Sequence, residues 1–419
     1  MFSQVRGYRR VAFIFWVLTC IAIAIWSQVP GYVVGWDLDV YAAAIRSLRL
    51  GHDPYADGIA IQRIFHAETV HTSSGVPFTY VYSPMTLPLL RLIGHLPFLF
   101  SATIYWLFYI ACSAAAIWVG MQLVQPSEKK VLALLAPVAI FFPGLVQNDV
   151  LFSGNVAYIL HGIVLLTAWL GWKRGRWSWF YVAVLAASCL KAPLLTLLAL
   201  PVLSARRQWI PACLTGAAGV FLFALQPRIW PQLFAHYLTA VELQFSFNHD
   251  FSSSPAGLLA DALYDVIPYR VTSIGFYLFY AIPFFIVLLM LRRRYLAGRL
   301  SIQQWAPLQL IGVLLMNPRI MEYDIAPLTI PMALVAWRLA MRVGRQKTRD
   351  AVVILALFFG AANSFPALQW RPVDCLVIVT LFFGGCWDLF LTAEEQCAAE
   401  APTIFNRAAL GATETVAPV

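Results

Sequence analysis

The chain has 419 residues, of which 61% are hydrophobic, 15% aromatic and only 12% charged, and its mean hydropathy is +0.73. Soluble domains carry roughly 25% charged residues, so a soluble enzyme or binding module is excluded and a polytopic membrane protein remains. The net charge of +9 does not mark a nucleic-acid binder, because Lys and Arg stand between apolar runs and form no basic stripe interleaved with aromatics.

Arg6, Arg9 and Arg10 precede an apolar run from Val11 to Val29. No small-residue cleavage site follows it cleanly, so the run is read as a first spanning helix and not as a signal peptide. With its basic end inside, that helix delivers Asp37 and Asp39 to the outer face. A first external loop is expected over residues 31–98. Within it, apolar Ala42, Ile45 and Leu48 beside polar Arg46 and Arg49 predict an interfacial helix that stops at Gly51. Gly51-His52-Asp53-Pro54-Tyr55 makes a turn, and Tyr80-Val81-Tyr82-Ser83-Pro84 leads a run from Met85 to Phe100. Pro88, Arg91, Gly94, His95 and Pro97 break that run too often for it to span.

Further apolar runs lie at 101–124, 131–147, 156–172, 177–190, 192–204, 209–226, 271–291, 303–316, 321–341, 350–366 and 373–391. With the first run they predict about twelve spanning helices, since each needs about 20 residues to cross roughly 30 Å of hydrocarbon. Leaving 84–98 at the interface puts 20 of the 29 basic residues inside. These are Arg6, Arg9, Arg10, Lys129, Lys130, Lys173, Arg174, Arg176, Arg206, Arg207, Arg292, Arg293, Arg294, Arg299, Arg338, Arg342, Arg345, Lys347, Arg349 and Arg407. If 84–98 crossed, most of those clusters would land outside, against the positive-inside bias. The expected organisation is one transmembrane domain over 1–392, a second large external loop at 227–270, and a disordered cytoplasmic tail at 393–419. Seven scattered cysteines without a CxxC pair read as buried thiols.

The remaining polar residues then converge on the outer face. Asp37 and Asp39, two residues apart, are a catalytic base and its neighbour or else solvated loop acids; they lie on opposite sides of an extended strand or about 200° apart on a helix, so in either case one of them faces a given cleft. Lys191 interrupts a long apolar stretch and is either functional or snorkelling. Ser153 reads as the cap of the helix that follows, while Asn155 either caps it or faces a sugar. Asn317-Pro318-Arg319-Ile320-Met321-Glu322-Tyr323-Asp324 packs a cation, two acids and a phenol between two apolar runs. Arg319 there suits an anion such as phosphate, or pairs with Glu322 or Asp324. His249 and Asp250 belong to a loop that could act as a flap. No GxGxxG, GxxxxGK[ST], HExxH or GxSxG element is present, no metal cluster is obvious, and no inverted repeat is visible.

These landmarks resemble the GT-C membrane glycosyltransferases, and among them the polyprenyl-phosphate-dependent family, glycosyltransferase family 87, that includes phosphatidylinositol-mannoside mannosyltransferases. The resemblance rests on Asp37-Leu38-Asp39-Val40-Tyr41, Gly51-His52-Asp53-Pro54-Tyr55, Tyr82-Ser83-Pro84, Gly154-Asn155, Leu190-Lys191-Ala192-Pro193 and the polar motif from Asn317 to Asp324, in that order and spacing. The family's usual Gln is absent ahead of Asn155, and the late motif lacks a His. The resemblance implies an all-α GT-C fold in a bacterial cytoplasmic membrane, with its site facing the exterior. It also implies a polyprenyl-phosphate sugar (a hexose such as mannose) as donor, a lipid or glycan acceptor and inversion at the anomeric carbon; no cofactor and no metal-ligand residues are expected, and a divalent-cation requirement stays open. Asp37 matches the family's catalytic acid, with Asp39 the second candidate. Arg319, Lys191 and Tyr323 become donor-phosphate residues, and Asn155, Tyr41, Tyr82, His249, Asp250 and Asp324 sugar or acceptor residues. The alternative is a lipid or glycolipid transporter without chemistry.

Overall fold

The computed structural model describes residues 35–67, 79–126, 128, 153–246, 252–267, 269–343 and 371–413, and among these residues it contains helices and no strand. Among the described residues, six helical segments are long and apolar enough to cross a bilayer: Phe98–Gln122, Val156–Arg174, Trp209–Ile229, Gly275–Leu296, Glu322–Arg342 and Pro372–Glu395. The protein is a multi-pass α-helical membrane protein. Nine of the twelve expected runs fall on described residues, and three of those nine form helices shorter than a membrane span; 11–29, 131–147 and 350–366 lie outside the described residues. The short ones are Ser178–Leu190, Ala192–Ser204 and Ile302–Leu315. At 1.5 Å per residue each covers about 20 Å, less than the hydrocarbon core.

The helices in order are α1 (Trp36–Arg49), α2 (Pro54–Ala67), α3 (Leu87–Gly94), α4 (Phe98–Gln122), α5 (Val156–Arg174), α6 (Ser178–Leu190), α7 (Ala199–Ser204), α8 (Trp209–Ile229), α9 (Pro231–Ser246), α10 (Pro255–Ala262), α11 (Tyr269–Leu296), α12 (Ile302–Leu315), α13 (Glu322–Ile325), α14 (Thr329–Val343) and α15 (Arg371–Thr413). A 3-10 turn over Ala192–Leu198 joins α6 to α7.

The short helix α12 is the centre of the bundle. Residues 305–315 are all buried, as expected of a helix that is apolar all round. The one strongly polar side chain among these buried residues is held rather than left orphaned: Gln309 Nε2 donates to Leu200 O at 2.6 Å, and Ser204 Oγ, 2.9 Å from Gln309 Oε1, also receives Trp172 Nε1 at 2.7 Å. Outward-facing Leu107, Phe108 and Ile110 on α4, Leu214 and Phe221 on α8, and Phe279 and Ile282 on α11 are exposed, an apolar exterior suited to lipid.

α1, α2 and α3 fold over one end of the bundle. α3, with eight residues, is about 12 Å long and cannot span. It is tied to α1 by Arg49, whose Nε donates to Gly94 O at 2.6 Å and whose Nη2 donates to Leu96 O at 3.0 Å. Residues 227–270 contain two helices, α9 and α10, and so are not simply a loop. α9 packs on α2, where His236 Nδ1 lies 2.6 Å from Asp53 Oδ2. The opposite end of the bundle gathers the basic residues. Arg338 forms a bidentate pair with Glu128 (2.6 and 2.8 Å), Arg342 bonds Asp388 at 2.5 Å and Glu395 at 2.6 Å, and Arg292 Nε donates to Val202 O at 2.7 Å.

The backbone of α15 is helical from Arg371 to Thr413, through part of the stretch from 393 that the sequence sets apart as a tail. One expectation is corrected here. Cys213 is exposed on α8, whereas Cys112, Cys375 and Cys386 are buried.

Candidate functional site

At the end opposite the arginines, two glycines set the geometry. Gly35 (φ +80°) and Gly154 (φ +70°) both adopt left-handed backbone, which an L side chain resists. A Cβ on Gly35 would sit 3.2 Å from the Trp106 ring, and one on Gly154 would sit 3.4 Å from that ring and 3.8 Å from Gly35 Cα. The two turns therefore stack on one indole, and the helices that leave them, α1 and α5, start side by side.

This places Asp37, in the first turn of α1, against Asn155, the N-cap of α5. Asn155 Nδ2 donates to Asp37 Oδ2 at 3.0 Å while Asn155 Oδ1 accepts from Ala157 N at 2.9 Å. The amide thus caps and orients at once. Ser153, expected as the cap, instead accepts from Asn155 N at 3.1 Å. Asp37 is buried and Asp39 exposed, the separation that a two-residue offset on a helix requires.

Tyrosines surround the carboxylate. Tyr41 OH lies 2.8 Å from Tyr82 OH and accepts from Val156 N at 3.1 Å, satisfying another of the free amides at the start of α5. Tyr105 OH donates to Gly154 O, and Tyr55 OH donates to Tyr82 O at 2.5 Å. Burial, first, pushes Tyr41 and Tyr82 well above the ordinary phenol value; the field of Asp37 adds to the shift of both. These rings are buried and their hydroxyls occupied within the protein, so they frame Asp37 more directly than they offer open contacts to a sugar.

A cationic side faces this acidic one. Lys191 is half-buried in the extended break between α6 and the following 3-10 turn, with Nζ 3.8 Å from the centroid of the Tyr323 ring. Asp324, next to Tyr323, is 3% exposed. One of its oxygens lies 2.8 Å from His161 Nε2, the other accepts Met321 N at 3.1 Å, and its charge faces Lys191. Ser83 connects the two sides by donating to Cys189 O at 3.1 Å and Gln226 Oε1 at 2.9 Å. Tyr82, just before it, is within electrostatic reach of both Asp37 and Tyr323.

Of the residues expected from sequence, the structure thus assembles Asp37, Tyr41, Tyr82, Asn155, Lys191, Tyr323 and Asp324. Arg319 is half-buried, its backbone N–H bonded to Asn317 Oδ1 at 3.1 Å. His249 and Asp250 lie outside the described residues. No group of three or more metal-ligating side chains occurs among the described residues. Comparison with family models, curated proteins and solved structures finds no match. His161 escaped the sequence reading, although its signal was there: the one side chain in the apolar run 156–172 that can take a charge near neutral pH.

Proposed function

We propose that the protein is an integral membrane glycosyltransferase that moves a sugar, a hexose such as mannose, from a polyprenyl phosphate to a hydroxyl of a lipid or glycan acceptor. The observation that supports this reading is a buried, oriented carboxylate, Asp37, within electrostatic reach of Tyr82, which is also within reach of Tyr323, the ring that carries the half-buried Lys191 ammonium. In this scheme Asp37 takes the proton of the acceptor hydroxyl. The oxygen attacks the anomeric carbon from the face opposite the phosphate, the bond from that carbon to the phosphate oxygen breaks, and polyprenyl monophosphate leaves with inversion. The leaving phosphate passes from about one negative charge to more, so a cation beside it stabilises the transition state more than the ground state. Lys191 and Arg319 take that role. Asn155 holds Asp37, and Asp324, itself held by His161, holds Lys191. Positive-inside bias puts the arginine-rich end in the cytoplasm and Asp37 at the outer face, where a lipid carrier presents its sugar without a nucleotide.

The test is transfer by purified protein in lipid nanodiscs from radiolabelled polyprenyl-phosphate hexoses to lipid and glycan acceptors. Asp37→Asn is expected to lower turnover by about 10²–10⁴-fold with its fold intact. Wild-type turnover in Asp37→Asn would remove the assigned base. The buried His161–Asp324 pair, set on a spanning helix, is the observation that favours a proton-coupled lipid transporter instead. Sugar-lipid movement across proteoliposomes without glycoside formation would establish that reading.

A further inference from the structure

Three consecutive serines, Ser252, Ser253 and Ser254, are all buried, and they precede α10. Two have structural work. Ser254 Oγ accepts Gly257 N at 2.9 Å as the cap of α10 and donates to Pro318 O at 2.8 Å; Ser252 Oγ accepts Ser254 N at 3.1 Å and lies 2.7 Å from Ser254 Oγ. The backbone of the third is pinned as well, with Ser253 N donating to Ile320 O at 2.9 Å. The bonds to Pro318 and Ile320 fall on either side of Arg319, so Ser253 is stapled alongside that residue. Yet the Ser253 hydroxyl, in a residue only 1% exposed, meets no hydrogen-bond partner among the described residues. A buried hydroxyl without a partner is costly and rare in a native fold, which points to a ligand oxygen.

The surroundings say which ligand. Tyr280 OH donates to Asn317 O at 3.3 Å, and Tyr280 and Pro255, at the margin of the same staple, also line an apolar groove of about 660 Å³ that continues along α11 and α15 past Phe284, Val379 and Phe383. A donor hydroxyl stapled to the backbone on either side of an arginine, with an apolar groove that begins two residues on at Pro255, matches a phosphate carried on a hydrocarbon chain. We infer that Ser253 and Arg319 together bind the phosphate of a polyprenyl-phosphate lipid whose chain lies in the α11–α15 groove. This rests on the glycosyltransferase reading and adds to it Ser253 as a phosphate-binding residue and a path for the lipid chain.

The test measures binding, not transfer. Wild-type protein in nanodiscs is titrated with undecaprenyl monophosphate and, separately, with inorganic phosphate, and thermal stability is followed in parallel. Ser253→Ala is expected to weaken undecaprenyl phosphate about 10-fold or more, the size of a hydrogen bond to a charged group, with Tm unchanged or raised because an unpartnered hydroxyl has been removed. Ser254→Ala, which loses the cap and the bond to Pro318, is expected to lower Tm. Unchanged affinity in Ser253→Ala, or a Tm loss matching that of Ser254→Ala, would overturn the role of Ser253 and leave the transferase reading standing. Equal affinity for inorganic phosphate would overturn the assignment of the groove. Failure of the wild type to bind undecaprenyl phosphate at all would overturn both the inference and the reading beneath it.

Discussion

Asn155 performs two tasks with the two ends of one amide, and substitution can separate them. Asn155→Asp keeps a good N-cap but replaces the donor to Asp37 with a second carboxylate at about 3.0 Å. Thermal stability is therefore expected to stay close to wild type while transfer falls and its pH profile moves upward, because like charge disfavours ionisation of Asp37. Asn155→Ala loses the cap as well and should cost about 1 kcal/mol of stability in addition. An Asn155→Asp variant with an unaltered pH–rate profile would show that the two carboxyls are not coupled. At Gly154 the backbone decides: Gly154→Ala forces a Cβ into φ +70° beside Trp106, an expected loss of about 1–2 kcal/mol, seen as a lower Tm in detergent. Chain sequence could suggest that Gly154-Asn155 matters, but the left-handed turn stacked on Trp106 that makes glycine necessary depends on a residue about fifty positions earlier.

The packing of α1, α2 and the segment 79–87 is an aromatic one. Tyr55 and Tyr80 meet at 5.7 Å between centroids, Tyr80 and Tyr82 at 5.5 Å, and Tyr41 and Tyr82 at 5.5 Å. Burial raises the phenol pKa of all four, so the fold holds them neutral while the unfolded chain releases their protons near pH 10. A group whose folded pKa is raised contributes stability that is full below the unfolded value and lost as pH climbs above it. Tm is accordingly expected to be insensitive to these groups at pH 8–9 and to fall steeply from about pH 10. Tyrosinate absorbance at 295 nm should lag behind the amplitude expected for free phenols until unfolding. If all seventeen tyrosines titrate near pH 10 in the folded protein, the cluster is wet and the packing described here is wrong.

Across the whole molecule, the two ends differ in chemistry: arginines bonded to carboxylates and helix carbonyls at one, the Asp37–Lys191 cluster at the other. α5 joins them, since Asn155 opens it beside Asp37 and Trp172, near its other end, bonds Ser204 next to the Arg292 contacts. Membrane-impermeant thiol labelling of Asp39→Cys and Arg299→Cys, each exposed and each in a cysteine-free background, is expected to report opposite sides of the membrane. Labelling of both from one side would reverse the proposed orientation. The same asymmetry explains why charge could be located from sequence: in a chain this apolar, every charged residue away from water needs a reason.

Composition and the spacing of apolar runs determined by themselves that the chain is an α-helical membrane protein, because backbone groups in hydrocarbon must be satisfied internally and a span needs a minimum length. They also brought Asp37, Asn155 and Lys191 forward, since each is polar where its neighbours are not. Tertiary structure decided the rest. By apolar run alone, 177–190, 192–204 and 303–316 count as spans, yet the helices there match those runs in length and stay below what a span needs; burial of residues 305–315 on every side follows from the helices packed around α12. His161 and Asp324 are separated by 163 positions, Ser83 and Gln226 by 143. Such pairs are invisible to periodicity and to local propensity. They form only once packing of the intervening helices has fixed which buried polar group is within reach of which, and each must then be paired because burial otherwise leaves it unsatisfied.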